Sequence, residues 1–581
     1  MKTHFLSFVV CLSLSVSLGA VSFPEYSYPK WLEEAVIYHI YPSSYMDSDG
    51  DGYGDLEGIR SRLDYIKSVG FNTIWMSPIF CSPFEDGGYD ITDYYKIDPR
   101  FGTNTDLVDL VKKAHEMGIR ICMDLVAGHS SDQSEWFLQS KSGKDMRYSD
   151  YYIWTDEISD KEKQLIIQRH QEVNPAASFT GRFVEANAPR AKYYEKNYYE
   201  SQPALNYGYA NPDPNHPWEQ PVTAPGPRAL RQEMKNIMAF WFDKGIDGFR
   251  VDMAQSLVKN DSDGKATAAL WHEMRQWVDN NYPEHILLAE WSAPLTSIPA
   301  GFDIDFFLPW RDRNGYKELI LPEPYGVHKK DYFHPDGNGN ISDFVPYYTK
   351  CLQELGDKGY VALQTSNHDF PRPNYGDRNT IEQLKVSMMF FLTLHSMPFI
   401  YYGDEIGMKY NTNAPEKEGS REDRPGFFNE RSGARTPMQW TNGKNAGFST
   451  CEPENLYLPI DTDNNLLTVE TQEKDPNSLL NYVRQLIQLR KDHKAMGNTG
   501  NWTYIGNVEQ PYPMVYKRDA DGETFVVVLN PCSRKVKANI QTLGAQKATY
   551  VMGSGKTSYK PGKTTDKIEL NGISCAIYKM E

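Results

Sequence analysis

At 581 residues the chain exceeds one ordinary domain and has room for a large α/β barrel with one or two smaller domains. Charged residues make up 24% and hydrophobic ones 40%, an ordinary soluble composition. The formal net charge of −16 argues against nucleic acid or an anionic membrane surface as partner, since both demand basic patches. The opening M-K-T-H-F-L-S-F-V-V-C-L-S-L-S-V-S-L-G-A pairs an early Lys with an apolar run too short to anchor in a bilayer. Gly19, Ala20 and Ser22 offer cleavage points, so residues 1–22 are expected to be an export signal, with the mature chain periplasmic or secreted. The other six cysteines are scattered without C-x-x-C or Cys/His metal spacing, which leaves buried thiols, or a disulfide or two, as their state.

From residue 35 onward, short β-rich runs alternate with helical patterns. A-V-I-Y-H-I-Y-P (35–42), N-T-I-W-M-S-P-I (72–79) and R-I-C-M-D-L-V (120–126) are apolar almost throughout, as buried parallel strands are. D-G-F-R-V-D-M (247–253), H-I-L-L-A-E-W (285–291), F-D-I-D-F-F-L (302–308), Y-V-A-L-Q-T-S (360–366) and P-F-I-Y-Y-G (398–403) continue the series. Eight such strands, alternating with helices such as the one expected from Asp106 to Met117, predict a (β/α)8 barrel formed by residues 23–129 and 206–497. The long gap after the third strand, rich in Tyr, Asn and Pro, predicts an inserted subdomain over 130–205. Residues 498–581 switch to alternation with D-G and G-S-G turns, predicting a C-terminal antiparallel β-sandwich.

Barrel enzymes place their chemistry at the carboxyl ends of the strands. There the chain carries Asp86, Tyr89 and Asp90 after the second strand, and Asp124 and His129 at the third. Arg250 and Asp252 lie on the fourth, Glu290 ends the fifth, and Asn367, His368 and Asp369 follow the seventh. A lone carboxylate after a strand is more often a helix cap, but three carboxylates, two His and an Arg converging on one mouth suit glycoside hydrolysis. One carboxylate serves as nucleophile, a second with raised pKa protonates the leaving oxygen, and the rest hold sugar hydroxyls. A catalytic metal centre is the alternative use of such a set, but no H-x-H or H-E-x-x-H pair is present. The aromatic content (12 Trp, 38 Tyr, 26 Phe) fits stacking on sugar faces, although aromatic residues more often fill cores.

The loop D-S-D-G-D-G-Y-G-D (47–55) resembles a calcium loop, but counting from Asp47 puts Gly58 where an EF-hand requires its bidentate Glu. The helix-loop-helix reading fails, while the alternating hard-oxygen ligands remain.

These motifs together resemble the α-amylase superfamily, glycoside hydrolase family 13, over residues 30–581. D-L-V-A-G-H (124–129), G-F-R-V-D (248–252), L-L-A-E-W (287–291) and S-N-H-D (366–369) are similar to its four conserved regions, with G-Y-D (88–90) and P-F-I-Y-Y-G-D-E (398–405) beside them. The resemblance implies Asp252 as nucleophile, Glu290 as general acid/base and Asp369 as transition-state stabiliser. It also implies Tyr89 stacking under the sugar, with His129, Arg250 and His368 on its hydroxyls. Q-P-A-L-N (202–206) and R-S-G-A-R-T-P-M-Q-W (431–440) resemble segments of the α-glucosidase, oligo-1,6-glucosidase and trehalose-synthase branch, in which Asp86 and Arg435 are expected to pair and block the far end of the pocket. Relatives often hold calcium in the first strand-to-helix loop, which implies a structural calcium on Asp47, Asp49, Asp51, Tyr53 (by its carbonyl) and Asp55. Gly128 stands where the family usually has Asn, Ala204 where it has an acid, and Met253 where it has a small residue or Val, so linkage preference stays open.

The expected protein is thus a secreted, retaining α-glucosidase of short oligosaccharides, monomer or dimer, with no nucleic-acid or membrane partner. A trehalose-synthase-like transglucosidase or isomerase, an endo-acting α-amylase and a catalytically silent binding relative are its rivals.

Overall fold

Each of the eight apolar runs forms a strand in the computed structural model, which describes residues 28–171, 181–309, 314–321, 331–420, 431–461 and 466–581. The expected export signal lies outside them. The strands are β1 (Ile37–Ile40), β2 (Thr73–Met76), β3 (Arg120–Leu125), β4 (Gly248–Val251), β5 (Ile286–Ala289), β6 (Ile304–Phe306), β7 (Tyr360–Gln364) and β8 (Met397–Tyr401). They pair in parallel in chain order, and β1 also pairs with β8, which closes the barrel. Alternate residues serve two cores. Ile37, Trp75, Cys122, Leu288, Phe306 and Phe399 fill the barrel interior, while Tyr38, Ile74, Phe249 and Leu287 join the larger core that includes the helices. Every strand residue but the first of β3 is buried, which is why these runs read as continuous rather than alternating.

The helix after β2 spans Asn104–Glu116 and starts on a reciprocal cap: Thr103 accepts from the Asp106 N–H while Asp106 accepts from the Thr103 N–H. The chain between β3 and β4 carries a small antiparallel sheet in which Tyr193–Glu195 lies between Trp154–Thr155 and Phe183–Glu185, flanked by helices Glu135–Ser142 and Asp160–Arg169. The C-terminal region holds β9 (Asn501–Tyr504), β10 (Met514–Ala520), β11 (Glu523–Asn530), β12 (Val536–Gln541), β13 (Ala548–Ser554), β14 (Thr557–Lys560), β15 (Thr565–Leu570) and β16 (Ser574–Met580). These form a five-stranded and a three-stranded antiparallel sheet around a shared core of Val526, Val528, Ile540, Ile568 and Leu570. Asp521-Gly522 turns β10 into β11 with both residues at positive φ, the two-residue geometry that D-G favours.

The six cysteines of the described residues are all free, so no disulfide forms among them. No helix among those residues is long and apolar enough to cross a membrane.

Candidate active site

The register of β3 against β4 sets Asp124 opposite Arg250. Arg250 and Asp252 are two residues apart, so they leave the strand on the same side. The ladder continues past the strand ends, with Asp252 N–H on Leu125 O (3.0 Å) and Glu290 N–H on Val251 O (3.1 Å), and this raises both carboxyls to one level. A single buried guanidinium then joins the group. Arg250 Nη1 lies 2.6 Å from Asp124 Oδ1 and 3.0 Å from Asp252 Oδ1, and Nη2 lies 2.9 Å from Glu290 Oε2. Met253 sits at φ 43°, in the left-handed region that a non-glycine residue adopts only under local constraint. That turn aims its N–H at Glu290 Oε2, 2.9 Å away.

Burial pushes the Glu290 carboxyl up to about 8; Arg250 opposes the rise, and the negative charges of Asp252 and Asp369 add to it. Burial raises Asp252 as well, to about 7, with Arg250 and a hydrogen bond from Glu290 holding it lower than its partner. Both carboxyls are thus raised well above the ordinary carboxylate range, Glu290 the further of the two, as a pair sharing a proton requires. Asp369 goes the other way. Burial alone would raise it, but His368, Arg431 and Arg435 outweigh burial and hold it well below the usual carboxylate range. Because burial drives His368 itself down to about 3, the two guanidinium groups carry this effect near neutral pH.

The expected Asp86–Arg435 pair does not form; Arg431 takes the place assigned to Arg435. Arg431 Nη2 lies 3.0 Å from Asp86 Oδ1 and Nη1 lies 3.0 Å from Asp369 Oδ1, so it ties the pocket end to the third carboxylate. Gln202 Nε2 donates to the other Asp86 oxygen at 2.8 Å, which explains the Gln of Q-P-A-L-N. Arg435 instead donates from Nε to His368 O (2.8 Å) and from Nη2 to Asp369 Oδ1 (3.4 Å). The two arginines are one helical turn apart around the short helix Ser432–Ala434, and spacing in the sequence could not choose between them.

Tyr89 lies flat on His368, with ring centroids 5.2 Å apart and planes 14° apart, and its hydroxyl donates to Asp124 Oδ2. His129 departs from its expected role on substrate hydroxyls. Its Nε2 donates to Tyr89 O and its Nδ1 accepts from Asn197 Nδ2, both at 2.9 Å, so each ring nitrogen is used within the protein. His129 thus anchors the backbone of the Tyr89 platform. Asn197, from the inserted segment, escaped sequence reading, but the Gly128 departure was its trace: a Cβ there would stand 2.7 Å from Asn197 Nδ2. Asn367 likewise positions the loop, its Oδ1 accepting from the Asp369 N–H at 2.7 Å.

In the acidic loop, oxygens of Asp47, Asp49 and Asp55 lie within 4.8 Å of one another, a donor set of hard oxygens suited to calcium. Asp51 falls outside that group, and its Oδ1 accepts from the Tyr53 N–H at 2.8 Å. Asp47 accepts three backbone N–H groups, from Asp49, Gly50 and Gly52, which shape the loop. Asp55 also caps the helix Leu56–Ser61 through the Gly58 N–H.

The family model for the α-amylase catalytic domain matches residues 39–499. The chain is 32% identical over 542 residues to an oligo-1,6-glucosidase of Parageobacillus thermoglucosidasius, covering 86% of this chain and 90% of the relative. It is 30% identical over 527 residues to the trehalose synthase/amylase TreS of Mycolicibacterium smegmatis, covering 84% and 80%. Among solved structures, the trehalulose synthase MutB of Pseudomonas mesoacidophila is similar at 26% identity and a TM-score of 0.76, over 95% of this chain and 99% of that one. Barrel, strand-end carboxylates and family match agree, and the chain belongs to the α-amylase family, glycoside hydrolase family 13, as a glycoside hydrolase or related transglycosylase.

Proposed function

We propose that this protein is an exported, retaining α-glucosidase that removes terminal α-linked glucose from short oligosaccharides. The observation that carries the reading is the Arg431 clamp: a guanidinium spanning Asp86 and Asp369 sets beside the third carboxylate charged groups suited to binding terminal hydroxyls, as a site for the end of a chain requires. Glu290, the protonated partner, donates to the glycosidic oxygen while Asp252 attacks the anomeric carbon. Glu290, now ionised, then takes a proton from the water that releases glucose. The Arg250 bridge supports retention, because it holds the two carboxyls close, whereas inversion needs room between them for water. Asp369, ionised throughout, binds the ring hydroxyls nearest the forming oxocarbenium charge.

A second reading has a specific support: trehalose synthase/amylase and trehalulose synthase are among the similar proteins. On that reading the same glucosyl-enzyme is taken by a sugar hydroxyl instead of water, and the product is an isomerised disaccharide. Incubation with maltose, isomaltose, sucrose and trehalose, with every product resolved, separates the two. Glucose as the main product supports hydrolysis, a rearranged disaccharide supports isomerisation, and no turnover of any of them refutes both.

The acidic loop is proposed to hold a structural calcium away from the chemistry, with Asp47, Asp49 and Asp55, whose oxygens cluster, as its nucleus and with Asp51 and the Tyr53 carbonyl as the further ligands the resemblance implies.

A further inference from the structure

We propose that the protein carries a second, non-catalytic saccharide site on the face of the barrel opposite the carboxylates, where the barrel meets the C-terminal sheet. Tyr360 opens β7, so it stands at the amino end of the strands, whereas the catalytic residues stand at the carboxyl end. A cavity of about 450 Å³ lies there, within the usual size of a small-ligand pocket. Four aromatic rings border it: Tyr28 and Tyr360 from the barrel side, Trp502 and Tyr504 from β9. The first two meet at a tilt of 57° with centroids 5.0 Å apart and their hydroxyls bonded to each other, and Trp502 is braced edge-on by Tyr348 at 5.1 Å.

The polar lining is of the kind a neutral polyol needs. Gln353, Thr499 and Thr503 are uncharged, and their side chains make no hydrogen bond among the described residues. His395 donates from Nδ1 to Gly500 O, which leaves Nε2 a bare acceptor, and burial keeps the ring neutral by driving its pKa to about 4. Asp357 is the one ionisable carboxylate, and no Lys or Arg lines the cavity, so an anionic ligand finds no counter-charge. Flat apolar rings beside neutral donors and acceptors match the apolar faces and hydroxyl rim of a sugar ring. An apolar ligand would leave the polar groups unpaired, and a phosphate would meet only Asp357. The geometry therefore points to one or two units of a neutral saccharide, which would hold an oligosaccharide to the enzyme without entering the catalytic pocket. The choice of glucosides as probe rests on the proposed function; the existence of the site does not.

The test is a calorimetric titration of maltose into the full chain carrying Asp252→Asn, which prevents turnover. Two molecules bound per chain are expected. Gln353→Trp, a filling change at an exposed position, and Trp502→Ala should each reduce the count to one; in the otherwise unchanged enzyme they should leave turnover of a small glucoside as it was. If Trp502→Ala does not fold, Gln353→Trp still decides. A count of one that Gln353→Trp abolishes would support the second site while contradicting binding in the catalytic pocket. A count of one that Gln353→Trp leaves intact, a count of two that it leaves intact, or no binding at all would overturn the proposal.

Discussion

Replacing Arg431 with Ala removes the one cation shared by Asp86 and Asp369, each 3.0 Å from it. Taking one partner from a buried ion pair costs about 3–5 kcal/mol, because the remaining charge loses its compensation. Here part of that is retained: Asp369 keeps Arg435 at 3.4 Å, and Asp86 keeps the Gln202 amide at 2.8 Å. The fold therefore bears a cost of about 3 kcal/mol, and the misplacement of Asp86 and Asp369 is expected to lower kcat/KM for maltose by roughly 10²-fold. Arg431→Lys preserves the charge but not the span, and should fall between the variant and the parent. The two arginines separate by chain length. Opening the pocket end in Arg431→Ala should raise the ratio of kcat/KM for maltotetraose over maltose, whereas Arg435→Ala, which loosens the His368 backbone instead, should lower both together. Steady-state kinetics on folded proteins, checked by thermal melts, make the comparison. If Arg431→Ala stays within about threefold of the parent with an unchanged ratio, the clamp does not act as described.

The pH dependence of kcat/KM should be bell-shaped, because activity needs Asp252 ionised and Glu290 protonated, groups raised to about 7 and about 8. With an activated glucoside that needs no proton, Glu290→Gln should keep the acid limb and lose the alkaline one; retention of both limbs would reassign the acid. Glu405, buried behind β1 with Tyr38 and Tyr65 donating to it, is pushed by burial to about 7. A carboxyl raised on folding stabilises the protein fully below its unfolded value and loses that stabilisation as pH rises toward 7. The Tm of Glu405→Gln relative to the parent should therefore climb between pH 5 and 8, and a flat difference would refute the shift. Chelation should lower Tm by several degrees, reversed by added calcium, and Asp47→Asn should remove that response while sparing kcat; a chelator with no thermal effect would count against the calcium.

The barrel was legible because its strands are buried on both faces and announce themselves as apolar runs, and because Asp124, Arg250, Asp252 and Glu290 lie within or next to those runs. Register is local, so two residues' spacing on β4 sufficed to put Arg250 beside Asp252. What escaped was long-range. Asn197 meets His129 across 68 residues, and Arg431 meets Asp86 across 345, so no local pattern records either contact. His129 shows the same limit from the other side. Its place at the mouth was readable, but its partners, which decide what it can bind, were not.

The central claim is that Asp252 attacks the anomeric carbon and Glu290 supplies the proton. Proton NMR of the glucose first released from an α-glucoside, recorded faster than mutarotation, tests it most directly. Double displacement predicts the α-anomer from the parent enzyme and none from Asp252→Asn. Release of the β-anomer, or undiminished release by Asp252→Asn, would contradict it.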